Sequence, residues 1–393
     1  MKRVFLTLPS LDGHRQIYCR QFCDYFLSRD FAVTVATELA GLGEFEALRI
    51  LVEDPRVTFI PDTWSGEQRP AQRLRGLVAA ARAARSDVTF LAEADTCAGM
   101  LAAQLTHPLL RLPGRRVALF IRSTRYVHQS RPSARLRFFY ELVVQSLPVL
   151  EKALALDEVF VARRGGRYVW LPDIAEWSGE SGGHGDEAAA WQARISDFLA
   201  AHQGSPVVVY IGMPQERRNY EHLLQLACDI DGVFLHCGAL QDPTGYPHEE
   251  PAAHRELVSR SAILESGRFY QSFETARVTL AAGRCVALPY GAEHLTSSGA
   301  MLQALMAGRP VLVPDRGLMA HRVREFGLGL TFVPDDRQDM RTRFLELDGK
   351  PPGAFEGRIQ RFLDYFSRPQ FEAAMDAAFF GSSSVGPRLP APL

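Results

Sequence analysis

Short apolar runs alternate with longer amphipathic segments along this chain. The first is Arg3–Leu8, followed by the loop Pro9–Gly13. From about His14 to Ser28, Ile17, Phe22, Tyr25, Phe26 and Leu27 then fall on one helical stripe. Further strands are expected at Ala32–Thr37, Val57–Pro61, Val88–Leu91, Arg116–Ile121, Asp157–Ala162 and Tyr168–Leu171, with helical segments between them. Strands that alternate with amphipathic helices imply parallel β-α-β winding. Between Asp173 and Glu187 the chain turns to Ser, Gly, Glu and His, the composition of a linker. The pattern then restarts, with strands at Pro206–Ile211, Gly232–Cys237, Arg284–Leu288 and Pro310–Val313 and a helix at Tyr220–Cys228. The expected architecture is α/β, with two Rossmann-like β-α-β domains facing a central cleft. The first spans 1–172 and the second 191–354, joined by a linker at 173–190. Helices at 355–380 are expected to cross back to the first domain, and 381–393 reads as a disordered tail.

In open parallel sheets ligands bind beyond the carboxyl ends of the strands, which singles out three loops. The loop at Tyr290–Ser298 leads into a helix whose start carries Thr296, Ser297, Ser298 and Gly299. Hydroxyls there cap the helix, and glycine leaves room for a group to approach its unpaired N–H groups. Gln303 places an amide one turn further on, and Glu293 an acid in the loop itself. The second loop is Gly212–Asn219, in which a glycine after a buried strand precedes Arg217 and Arg218. A guanidinium matches phosphate oxygens with a charged fork, so the two loops together suit a diphosphate. The third loop ends in Gly13, His14 and Arg15, without a G-x-G-x-x-G or Walker pattern.

At 393 residues the chain has room for two cores, and a net charge of −1 points to no nucleic-acid partner. No apolar stretch reaches membrane-spanning length, and no signal core opens the chain, so a cytoplasmic protein is expected. Charge is uneven, however. No acid falls between Asp95 and Glu141, while Arg111, Arg115, Arg116, Arg122, Arg125, Arg131, Arg135 and Arg137 do. This Arg111–Arg137 stretch suits either the basic face of an amphipathic helix or contact with anionic headgroups at the inner membrane face. The six cysteines lack C-x-x-C spacing and read as buried thiols. No metal-ligand pattern is present, and the one G-x-S-x-G match, Gly179–Gly183, lies in the polar linker rather than on a strand-to-helix turn. His128 reads as an ordinary histidine.

The restart of the pattern and the run Gln303–Val311 (QALMAGRPV) resemble the GT-B glycosyltransferases, most closely the retaining glycosyltransferase family four. That family carries two glutamates separated by seven residues, the second in an E-A-x-A-x-G-x-P-V context. Gln303 falls at the second glutamate, which the resemblance assigns to the nucleotide ribose. Arg218 falls at the lysine that meets the donor diphosphate. Met213 replaces the arginine after the glycine, with Arg217 nearby to compensate. Leu295 stands at the strict position of the first glutamate, and the available acid is Glu293, two residues earlier. Where the family tends to carry a histidine in its first domain, Arg122-Ser123-Thr124 stands instead.

The resemblance implies a transferase that moves a sugar from a nucleotide diphosphate donor to an acceptor hydroxyl, with retention and without a cofactor or metal. It gives Glu293 and Arg218 catalytic roles. Gly212, Arg217, Thr296, Ser297, Ser298, Gly299 and Gln303 would bind the donor, with Gly13 and His14 at the cleft floor. The acceptor is open among a small molecule, a lipid-linked glycan, a peptide or a polymer. The departures at Met213, Leu295 and Gln303 leave two alternatives: a catalytically weak binding or partner subunit, or another GT-B enzyme such as a nucleotide-sugar epimerase.

Overall fold

The computed structural model describes residues 1–11, 15–39, 42, 48–62, 69–104, 107, 109–121, 144, 149–174, 185–240, 246–267 and 272–381. The chain divides into two compact units. The first takes in Met1–Ile174 and again the chain from Arg368, and the second is Ala175–Ser367.

Seven strands build the first unit: β1 (Lys2–Thr7), β2 (Phe31–Thr37), β3 (Val57–Pro61), β4 (Val88–Leu91), β5 (Arg115–Phe120), β6 (Lys152–Ala155) and β7 (Tyr168–Trp170). They form one all-parallel sheet in the order β3-β2-β1-β4-β5-β6-β7. Val4, Leu6 and Val35 pack on one face and Phe5 and Ala36 on the other, the alternation of a sheet buried on both sides. On the first face the helix Arg15–Leu27 meets the last helix of the chain, Arg368–Phe379. Phe379 stands edge-on to Phe90 at 5.1 Å and to Phe26 at 5.0 Å. At the rim of this aromatic cluster Arg29 grips Asp376 through Nε (2.9 Å) and Nη2 (3.0 Å), and Tyr25 donates to the same carboxylate at 2.7 Å.

The second unit has β8 (Val207–Ile211), β9 (Val233–Cys237) and β10 (Ile263–Glu265) in one parallel sheet. A second sheet holds β11 (Val286–Ala287), β12 (Val311–Pro314) and β13 (Gly329–Phe332). Their orders are β10-β9-β8 and β11-β12-β13, and β8 neighbours β11. Read across, the order is third, second, first, fourth, fifth, sixth. That is the order of the first six strands of the other unit, so both units are Rossmann-like.

Three expectations are corrected. Asp157–Ala162 is not a strand: Asp157 accepts the Phe160 N–H at 3.0 Å and caps the helix Glu158–Arg164. The strand lies earlier, at Lys152–Ala155, whose alanines carry little strand propensity of their own. The expected linker at 173–190 overlaps the helix Gly185–Ala201, and 175–184 lie outside the described residues. The helices at 355–380 do not act together. Glu356–Tyr365 stays with the second unit, with Phe362 edge-on to Phe326 at 5.1 Å, and only Arg368–Phe379 joins the first. The tail at 382–393 lies outside the described residues.

Candidate donor site

In the second unit the winding reverses between β8 and β11, so the loops that follow these two strands flank the crevice where ligands of such sheets bind. They are Gly212–Asn219 and Leu288–Ser298, and the Gly291 N–H donates to the Arg217 carbonyl at 3.0 Å to hold them together. Arg218, Tyr290 and Ala300 line one pocket of ≈ 300 Å³ with Tyr210 and the apolar ends of the strands.

Gly212 sits at φ +82°, a conformation that favours glycine, and its N–H donates to the Cys237 carbonyl at 2.8 Å. Arg218 folds back over it. Its Nη1 donates to the Ile211 carbonyl at 2.9 Å and the Tyr210 hydroxyl at 3.3 Å, and the guanidinium carbon lies 5.5 Å from the Tyr210 ring. Among the described residues no carboxylate pairs with it. A half-buried guanidinium held only by neutral partners keeps a charge that an anion would satisfy. Burial would push the Tyr290 phenol up, but the Arg218 charge and the hydrogen bond with Ser298 outweigh it and bring the phenol below its ordinary value. Tyr210 is raised by burial, with Arg218 opposing. Arg217 is exposed.

The helix Gly299–Met306 starts at the other side of the pocket. Of the three hydroxyl residues, Ser298 is the cap: its Oγ accepts the Met301 N–H at 3.3 Å and lies 2.8 Å from the Tyr290 hydroxyl. The N–H groups of Gly299 and Ala300 precede the first helical hydrogen bond, and a Cβ added to Gly299 would meet nothing within 4 Å. Open space therefore fronts the positive end of the helix, the arrangement that attracts phosphate. Thr296 and Ser297 are half-buried beside it, and Gln303 is half-buried one turn on. Glu293 is exposed in the loop, whereas Leu295 is buried with its backbone against Gly317. A chain that needs an acid on this loop therefore has one at 293 and none at 295.

Gly13 and His14 lie outside the described residues, as do His128 and the greater part of the Arg111–Arg137 stretch, from Arg122 onward. Sequence reasoning missed Tyr210 and Tyr290, which flank Arg218, and it missed His236. That histidine is fully buried in β9 beneath the Gly212 loop, its Nε2 2.9 Å from the Gly212 carbonyl and its Nδ1 2.9 Å from Glu265 Oε1. A histidine inside the otherwise apolar V-F-L-H-C strand was the available signal. Glu265 also faces His254 at 3.4 Å. Burial pushes Glu265 up, but the hydrogen bonds from His236 and His254 prevail and hold it near about 2. His254 is raised by its hydrogen bond to Glu265, against burial and with help from Glu250. Among the described residues no group of three His, Cys, Asp or Glu could hold a metal ion, and no helix is long and apolar enough to cross a membrane.

Two Rossmann-like units with these strand orders define a GT-B fold, the fold of many glycosyltransferases. No family model and no curated protein matches the chain. Solved structures of that fold do. HepE from Anabaena in complex with UDP is similar at a TM-score of 0.67 and 14% identity, over 97% of this chain and 100% of that one. Sucrose-phosphate synthase from Thermosynechococcus elongatus gives 0.64 and 14%, over 97% and 99%. WaaG, a glycosyltransferase involved in lipopolysaccharide biosynthesis, gives 0.61 and 12%, over 97% and 100%. The likeness is in fold.

Proposed function

We propose that the chain is a glycosyltransferase that takes a nucleotide diphosphate sugar as donor and moves the sugar to an acceptor hydroxyl, with retention and without a metal. The carrying observation is Arg218, a charged group with no carboxylate partner among the described residues, lining one pocket with the start of the helix Gly299–Met306. Both features present positive charge before any ligand arrives. Positive charge fixed in advance is what stabilises a departing diphosphate, because little reorganisation is needed as its charge develops. Arg217 extends the same field at the exposed edge. Gln303 offers an amide to the ribose, and Glu293 an acceptor for the hydroxyls of the donor sugar. The UDP and UDP-glucose complexes of HepE, a protein of the same fold, support a uridine nucleotide as the first donor to try.

Purified protein is mixed with a panel of UDP-, GDP-, ADP- and dTDP-sugars, and thermal shift and donor turnover are both read. One donor should raise the melting temperature and be consumed, and Glu293→Gln should lower turnover by about 100-fold while leaving donor binding within about threefold. If no member of the panel stabilises the protein at saturating concentration, the donor site is misassigned. If a donor binds but is never consumed with any acceptor class, the chain is a binding subunit.

A further inference from the structure

Beneath the donor loop, hydrogen-bonding side chains run from the surface to one carbonyl. Glu250 Oε1 lies 2.6 Å from His254 Nδ1, His254 Nε2 3.4 Å from Glu265 Oε2, Glu265 Oε1 2.9 Å from His236 Nδ1, and His236 Nε2 2.9 Å from the Gly212 oxygen. The Gly212 carbonyl and the Glu265 carboxylate both only accept, so the two bonds form together when both ring nitrogens donate, with the Glu265 charge beside the ring to balance it. The Tyr220 hydroxyl, 3.3 Å from Nδ1, and the Tyr210 ring, 5.2 Å away, complete the walls around the imidazole. A fully buried imidazole with both nitrogens engaged has a fixed ring plane, so its direction of donation is fixed as well.

Gly238 keeps the space that this bond needs. A Cβ there would lie 2.4 Å from both the Gly212 oxygen and His236 Nε2, inside the hydrogen bond itself. The next peptide along, Met213–Pro214, is held as well, because the Tyr210 hydroxyl donates to the Met213 carbonyl at 2.8 Å. In a trans peptide the C=O and the following N–H point in opposite directions. With the Gly212 oxygen turned down to His236, the Met213 N–H faces away from it.

We propose that His236 is a positioning residue for the donor diphosphate: its hydrogen bond to Gly212 sets the Gly212–Met213 peptide so that the Met213 N–H is offered to a phosphate oxygen. This rests on the donor-site reading above. It accounts for Met213, which occupies the place after the glycine with a side chain unable to contact phosphate through charge. The backbone N–H supplies a contact there that the side chain does not. Glu265 and His254 hold the ring, and Gly238 makes room for it.

The test compares UDP with uridine by calorimetry on wild type, His236→Leu, His236→Gln and Gly238→Ala, with melting temperatures measured alongside. A contact made through one backbone N–H acts on phosphate alone. His236→Leu and Gly238→Ala should therefore weaken UDP by about tenfold and leave uridine within about twofold. His236→Gln, whose amide can donate from nearly the position of Nε2, should restore UDP binding to within about threefold of wild type. Should His236→Leu fail to fold, Gly238→Ala and His236→Gln carry the comparison. Equal losses for UDP and uridine, or no loss for UDP, would overturn the assignment of His236 while leaving the donor site standing. A wild-type protein that binds none of UDP, GDP, ADP or dTDP would overturn both.

Discussion

The two units share a strand order, yet they treat the arginine at the point of reversal differently. In the first unit the reversal lies between β1 and β4, and Arg15 follows β1 as Arg218 follows β8. Arg15 is closed internally: Nη2 pairs with Glu93 at 2.8 Å, and Nη1 donates to Ser10 Oγ at 2.6 Å. Glu93 is 3% exposed, so that pairing helps to hold its charge. Among the described residues Arg218 is held by a carbonyl and by tyrosine hydroxyls and has no carboxylate partner, and it lines a pocket. One winding thus yields a crevice whose cation is neutralised within the fold and another whose cation has no carboxylate partner among the described residues. A site of this second kind gives up stability that a carboxylate would have supplied, and recovers it when an anion binds.

Two perturbations would break or sharpen this contrast. Arg218→Ala should weaken UDP by about 100-fold, the loss of charge-assisted hydrogen bonds to phosphate. It should change stability in the absence of ligand by less than about 1 kcal/mol, because no ion pair is lost. Calorimetry and denaturant unfolding measure the two. An Arg218→Ala protein that unfolds readily but binds UDP normally would make Arg218 the structural arginine and remove the contrast with Arg15. Arg15→Ala is the opposite case, with an expected cost in stability of about 2 kcal/mol, since it removes an ion-pair partner from the buried Glu93. An unchanged unfolding midpoint would show that the pair contributes nothing.

A smaller effect is expected from the carboxylate–imidazole chain under the donor loop. Glu265 is depressed from its ordinary 4.5 to about 2. Its contribution is therefore complete above about 4.5 and is lost as the pH falls towards 2. His254 is raised above its ordinary 6.5, so its contribution is complete below 6.5 and fades as the pH rises through the folded-state value. The melting temperature of the second unit should decline on both flanks. Glu265→Gln should flatten both, because Glu265 is the partner on each side. A profile identical to wild type would remove these pairs from the stability of the unit. Smallest of all, Gln303→Glu should change UDP affinity by about threefold and leave turnover nearly unaltered, the exchange of one hydrogen-bonding group for another at the ribose.

The strands were legible wherever β-branched residues were dense, as at Val33–Val35, Val207–Val209 and Val311–Val313, because parallel strands buried on both faces read as continuous apolar runs. Lys152–Ala155 escaped notice because its strand character comes from the neighbours it pairs with. In its place Asp157–Ala162 mimicked a strand, although Asp157 is the cap of a helix. The candidate site was legible in its halves. Gly212, Arg217, Arg218, Ser298, Gly299 and Gln303 announce themselves through the residue types that loops and helix starts require.

Other features depended on distance in space. The sequence by itself determined that two β-α-β units are present and that the loops at 212–219 and 290–299 follow strands, since hydrophobic period and turn chemistry are local properties. Only the tertiary structure decided that β8 and β11 lie side by side, which brings Arg218, Tyr290 and Ala300 to one pocket. It alone set His236 against the Gly212 carbonyl, with Gly238 clearing the way. Pairings across 24 residues or more, such as that bond, are fixed by strand order and packing, and no spacing along the chain encodes them.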